Sequence, residues 1–166
     1  MLATSQFPDD DGQATEATRQ ALAGASEQAS SDAYLRAVAA LCADRVLVPV
    51  VATATRSAPT AAGLTSDKEA EMSVVLLQAA DGRRAMLAFT GMDSLRAWDG
   101  RARPVPVTLD LAARSAEADG AAALLVDFAG PHPLVIEGEV LAELALGHRL
   151  SELSDGQFGW VMVGDR

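Results

Sequence analysis

Few residues in this chain could do chemistry, and they are scattered. The groups able to move a proton, attack a carbonyl or hold a metal reduce to two histidines, His132 and His148, one cysteine, Cys42, and a handful of carboxylates. Neither histidine has a second His or Cys at i+2, i+3 or i+4, the spacing that would aim two such donors at one metal, and no metal or cofactor site is expected. The chain contains no G-x-S-x-G elbow, no Walker loop, no G-x-G-x-x-G, no H-E-x-x-H and no C-x-x-C, so the signatures that carry a known mechanism are missing. Asp127 and His132 remain as an acid and base close enough in the chain to act together.

Cys42 shares an apolar helical face with Tyr34, Leu35, Val38 and Leu41. No basic group stands beside it in sequence to lower its pKa, and it reads as a buried, inert thiol. The segment Asp67-Lys-Glu-Ala-Glu71 sets Asp67, Glu69 and Glu71 at alternate positions. In an extended chain these share one face, as a cation cluster or an interaction loop would; the simpler reading is a solvated strand entrance whose charges discourage edge pairing.

The elements that position these groups follow from periodicity. Residues 1–14 are polar and acidic and read as a disordered leader, residues 15–150 as the folded domain, and residues 151–166 as a C-terminal tail or an added edge strand. Residues 15–25 and 32–43 have helical patterns, the second capped by Ser31 with apolar positions at 34, 35, 38, 41 and 42. Residues 45–52 form a β-branched run whose Pro49 favours an edge or a bulge, followed by a Ser/Thr/Ala/Pro/Gly loop over 53–67. Residues 72–79 and 84–89 flank Asp81-Gly82, a hairpin signal in which both turn residues would take positive φ; the first strand, apolar on both faces, is expected inside the sheet. Then come a helix over 92–98, a strand at 105–107, a helix over 109–119, strands at 122–128 and 134–136, and a helix over 139–147. The order ααβββαβαββα predicts an α+β (mixed α/β) fold with a single mixed β-sheet flanked by helices.

Two successive crossovers would make the strands ending at Phe89, Val107 and Phe128 parallel, and ligand crevices open at the carboxyl ends of such strands. Thr90, Gly91, Asp93, Thr108, Asp127 and His132 would gather on that rim. Helix N-termini at Thr90 and Thr108 would favour an anionic group and Asp127 a donor, which together suit a zwitterion such as an amino acid. The alternative assignment of Thr90, Asp93 and Thr108 is to helix capping alone.

Composition sets the outer bounds. With 166 residues, 49% of them hydrophobic, the chain can bury a core without staples. A net charge of −10 opposes approach to phosphate backbones, which argues against nucleic acid as a partner. No apolar stretch reaches the roughly 20 residues of a membrane span, and the start of the chain lacks the basic and apolar regions of an export signal. A cytoplasmic location is expected.

Three stretches resemble a known family: VLVPVVA, then DKEAEMSVVLLQAADGRRAMLAFTGMDSLRAW, then ADGAAALLVDFAGPHPLVIEGEVLAEL. The Asp-Gly hairpin, Phe89-Thr90 before a short helix and the turn at Gly130-Pro131 are similar to the N-terminal domain of SseB-like proteins, named for enhanced serine sensitivity, and the Ala-rich form resembles a short actinobacterial-type member. The resemblance implies a bacterial cytoplasmic protein of mixed α/β fold with no catalytic activity to carry over. It departs at Asp127-Phe-Ala-Gly130, where many relatives read Asn-Pro-Gly, and in lacking the second domain many relatives carry. The functional expectation is a non-catalytic binding or adaptor module engaging a protein partner or a small polar ligand through the rim or the 67–71 loop. The alternative is an amino-acid-related sensor or enzyme using Asp127 and His132.

Overall fold

The computed structural model describes residues 6–53 and 71–162. Two helices come first, α1 (Glu16–Glu27) and α2 (Ser31–Ala43). Each starts on a hydroxyl cap: Thr15 accepts from the Thr18 N–H, and Ser30, one residue before the expected Ser31, accepts from the Ala33 N–H. There follow β1 (Val46–Thr53), β2 (Glu71–Val74), β3 (Leu76–Gln78), β4 (Arg84–Ala88), α3 (Met92–Trp98), β5 (Arg103–Val107), α4 (Leu109–Ala118), β6 (Ala123–Val126), β7 (Leu134–Glu137), α5 (Gly138–Ala145), β8 (His148–Glu152) and β9 (Phe158–Met162).

The strands do not form the single mixed sheet expected from the sequence. They form three: β2-β1-β5, β3-β4-β6-β7 and β8-β9. Only β4 and β6 run parallel; every other pair is antiparallel. The physical reason lies largely in the prolines. In β5, RPVPV, alternate residues turn their N–H groups to the same side, so Pro104 and Pro106 withhold donors from one edge and leave Arg103, Val105 and Val107 to pair with β1. Such a strand suits an edge and not the interior of a parallel sheet. It therefore joins β1, with Pro49 opposite Pro104, and the path from β4 to β6 becomes one long crossover through α3, β5 and α4.

Pro49 lies in the middle strand of its sheet, against expectation, at a changeover. On the side away from β5, β1 pairs with β2 from Val50 onward, while Leu47 exchanges hydrogen bonds of 2.7 and 2.8 Å with Phe89 at the end of β4. Pro49 occupies the gap, where no donor is required. The expected continuous strand over 72–79 likewise breaks at Val75, its first half on β1 and its second on β4, at the edge of each ladder. The hairpin from β3 to β4 closes with Gly82 alone at positive φ (89°). The Gly82 N–H donates to the Ala79 carbonyl and the Ala79 N–H to the Arg83 carbonyl, a three-residue loop ended by a left-handed glycine in place of the two-residue turn.

It is β4, and not the preceding strand, that lies covered on both faces. Met86 and Ala88 face a large core with Val46, Val48, Leu124, Val126, Ile136, Leu41 and the alanines of α4. Leu87 and Phe89 face a smaller one with Leu47, Leu95 and Ala102, where Phe89 stacks on Trp98 at 5.7 Å. Residues 6–14, expected as a leader with nothing to bury, lie along the start of β1 and α3, with Ala14 buried. The 158–162 strand pairs with β8 in its own ribbon. The loop residues Asp67 and Glu69 lie outside the described residues, and Glu71 opens β2 opposite Thr53.

Candidate functional site

Because β4 and β6 are parallel, with Ala88 opposite Val126, Thr90 and Asp127 leave the sheet side by side at its carboxyl end. Asp127 has φ 51°, the only non-glycine among the described residues in the left-handed region. Asp tolerates that region better than most residues because its short side chain can hydrogen-bond locally. Its backbone is fixed from both sides: its N–H donates to the Ala88 carbonyl and its carbonyl accepts from the Gly130 N–H.

The buried Asp127 carboxylate organises the turn into α3. Oδ1 accepts from the Thr90 N–H at 2.8 Å and lies 2.8 Å from the Ser94 hydroxyl, and Oδ2 accepts the Thr90 hydroxyl at 2.6 Å. The Ser94 hydroxyl is also 3.0 Å from the Gly91 carbonyl. Its single proton favours the charged acceptor. Gly91 caps α3 in a crowded place: an added Cβ would stand 2.7 Å from Asp93 Oδ1, 3.1 Å from the Ala14 nitrogen and 3.3 Å from the Gly12 oxygen, so both the Asp93 side chain and the 12–14 backbone would have to shift.

Behind this turn lies Arg45, 4% exposed. Its Nη1 donates to the Thr90 carbonyl at 2.6 Å, Nη2 to Asp10 at 2.8 Å and to the Gln13 carbonyl at 3.0 Å, and Nε to the other Asp10 oxygen. The hydrogen bond from Arg45 holds the Asp10 carboxyl below its ordinary value, against the opposing pull of burial and with help from the Gly12 N–H. The same contact raises the Arg45 pKa.

In front of the turn is an open cleft of about 430 Å³ between α1, α3 and residues 129–132. Four of the six rim residues expected from the sequence line it: Thr90, Asp93, Asp127 and His132. Gly91 stands behind them as the α3 cap. Thr108 does not join them. It caps α4 after β5, which belongs to another sheet, and its Oγ1 is buried without a hydrogen-bond partner. Residues that sequence reasoning missed complete the wall: Arg19 and Glu16 on α1, and Ser94. Arg19 forms a 2.9 Å ion pair with Asp93. Burial works against ionisation of Asp93, but the Arg19 hydrogen bond, the Ser94 N–H and the Arg19 charge outweigh it and lower its pKa.

The groups in the cleft are mostly committed. Asp127 serves Thr90 and Ser94, Asp93 serves Arg19, and Glu16 accepts from Gln20 at 3.3 Å. His132 Nδ1 is buried with no hydrogen-bond partner, and no hydrogen bond joins it to Asp127. Among the described residues no group of three His, Cys, Asp or Glu could hold a metal ion. A larger hollow, about 760 Å³ between α1, α2 and the β8-β9 ribbon, is lined largely by alanines. The arginines on its wall each face a carboxylate, Arg36 that of Glu152 and Arg149 that of Asp110. Cys42 lies in that wall, 8% exposed, its thiol pushed up to about 11 by burial.

A buried carboxylate bracing a short helix at the end of a parallel pair, beside an open cleft, defines an α/β domain with a crevice at the carboxyl end of that pair. Residues 18–143 match the SseB protein N-terminal domain, and the chain belongs to that family. No curated protein and no solved structure matches the chain. No helix among the described residues is long and apolar enough to cross a membrane.

Proposed function

We propose that the chain is a non-catalytic binding module, working in the cytoplasm, that holds a protein partner or a small polar ligand in the cleft between α1, α3 and residues 129–132. Thr90, Asp93, Asp127 and His132 form its walls, and Gly91 caps the helix that carries Asp93. One observation carries the reading: each carboxylate facing the cleft is already committed to a partner within the protein. An acid or base needs a free lone pair or proton aimed at the substrate. Asp127 already accepts from the Thr90 N–H, the Thr90 hydroxyl and the Ser94 hydroxyl, and His132 has no carboxylate to orient it, which supports binding over paired acid–base chemistry. The chain's net charge of −10 disfavours nucleic acid as the occupant.

The test is retention by the intact protein against a variant with the cleft filled. Ala97 lines the cleft from an exposed position on α3, so Ala97→Arg occupies the space without disturbing the core. Proteins and metabolites retained from cytoplasm by each form are compared by mass spectrometry. A species held by the wild type and lost by Ala97→Arg is the expected result; species held equally by both would place binding elsewhere and overturn the reading.

A further inference from the structure

We propose that residues 6–14 are a strap that holds the α3 wall of the cleft in position, with Arg45 as the positioning residue through which the strap is coupled to Asp127. The contacts form an unbroken chain. Asp10 grips the Arg45 guanidinium with both carboxylate oxygens, Arg45 holds the Thr90 carbonyl, and Thr90 gives its N–H and hydroxyl to Asp127. A second tie runs alongside, from the Met92 N–H at the start of α3 to the Gly12 carbonyl, at 2.7 Å. Gly91 permits both, since any larger residue would press on the strap backbone at Gly12 and Ala14.

The strap is held by different means from the elements it touches. It belongs to no helix or ladder, and of its side chains Ala14 alone is buried. Its hold is polar and concentrated on one guanidinium. A segment tied by a few hydrogen bonds opens with a smaller free energy than one tied by a hydrophobic face. Its release removes the Gly12 acceptor from Met92 and frees Arg45 from Asp10, leaving the Thr90-Gly91 turn anchored through Asp127 and an Arg45 side chain that Asp10 no longer positions. Asp93 and Ser94, carried by the first turn of α3, then lose their fixed place in the cleft wall. The strap is thus a conformational control on the cleft, independent of what the cleft binds.

The experiment is amide hydrogen exchange on the full chain, without ligand, comparing wild type with Asp10→Asn and Asp11→Asn. Asp11→Asn removes the same charge from a neighbour whose carboxylate accepts only the exposed Gln13 N–H. The Thr90 N–H is the decisive probe, because it donates to Asp127 and touches no strap residue. Asp10→Asn is expected to speed exchange at Thr90, Met92 and Leu95 by about tenfold, with the β6 and β7 amides unchanged, while Asp11→Asn leaves all of them as in the wild type. Faster exchange confined to residues 6–14 would show that the strap moves without the wall and overturn the coupling. Faster exchange throughout β6 and β7 would overturn it equally, since Arg45 would then be holding the whole fold.

Discussion

Leu124 and Asp127 are near neighbours in the chain, and both are buried, yet they are buried in different ways. Leu124, fully inaccessible in the middle of β6, is one of many aliphatic side chains in the large core, surrounded by Met86, Ile136 and the small residues of α4. Its contacts are numerous, non-directional and replaceable by other carbon atoms of similar volume. Asp127, just past the end of the same strand, is held by a few directional contacts to Thr90 and Ser94, each with one geometry. The first kind of burial supplies stability. The second supplies little net stability but fixes where a turn, a helix and a cleft wall stand.

The largest effect is therefore expected in the aliphatic layer. Leu124→Ala should destabilise the protein by about 3 kcal/mol through lost transfer energy and the cavity left in a closed site, while Leu124→Met should cost less than about 1.5 kcal/mol. Urea denaturation measures both. A loss smaller than that of any substitution at Asp127 would reverse the comparison and make the polar hub the main support of the fold.

Asp127→Ala should come second, at about 2 kcal/mol, because it leaves the Thr90 N–H and hydroxyl without an acceptor in a buried place and puts a Cβ residue with no local hydrogen bond at φ 51°. Asp127→Asn, which tolerates that backbone and keeps one acceptor oxygen, should cost about half as much by the same reasoning. The comparison is sharpened by the structural readout: Asp127→Ala should shift the amide resonances of Thr90 and α3 while leaving those of β7 in place, and Leu124→Ala should perturb both sides of the sheet. Identical stability losses for the two Asp127 variants would show that geometry at this residue contributes nothing.

Much of the helical part was legible because helical signals are local. The α1 and α2 patterns, a hydroxyl cap read at Ser31 and found at Ser30, and the terminal glycines are written within a few residues of each helix. The sheets were not, because strand pairing depends on partners distant in sequence. The two prolines of RPVPV were visible, and taken together they argue against a central parallel strand; reading that segment only as the middle of a strand-helix-strand-helix-strand run produced a third parallel strand and misplaced Thr108. At the site, Thr90, Asp93, Asp127 and His132 converge as chain order suggested, since they follow the two strands that are parallel. Arg45 was missed although it stands alone at the head of the apolar run VLVPVVA, a position where a charged side chain requires a buried partner. Asp10, that partner, was hidden in an acidic stretch that looked solvated.

Cys42 tests burial without either packing bulk or a polar network. With its thiol pushed up to about 11 by burial, almost no thiolate exists at neutral pH, and the native protein should react with thiol reagents far more slowly than the denatured chain. Cys42→Ser should cost about 1 kcal/mol by burying a hydroxyl whose one partner is the Leu150 N–H. Rapid labelling of the native form, followed by stopped-flow absorbance, would mean that the α1-α2 hollow opens readily and that this wall is less firmly packed than the core behind it.

The smallest effect is expected at the Arg19–Asp93 pair, which lies in the same cleft as Asp127 but in contact with water. Its side chains are 44% and 61% exposed, so solvent screens the 2.9 Å contact, and an exposed ion pair contributes about 0 to 1 kcal/mol. Asp93→Asn should therefore change the unfolding midpoint little, and added salt should erase what difference there is. The pH dependence has a definite sign. The Asp93 pKa is lowered in the folded protein, so the contribution is complete above the ordinary carboxyl value and is lost as pH falls through the depressed one. Between wild type and Asp93→Asn, stability curves should coincide at acid pH and separate slightly toward neutrality. A gap that persists at high salt, or one as large as that of Asp127→Ala, would show that the outer rim of the cleft is held as rigidly as its floor and would remove the distinction between the two.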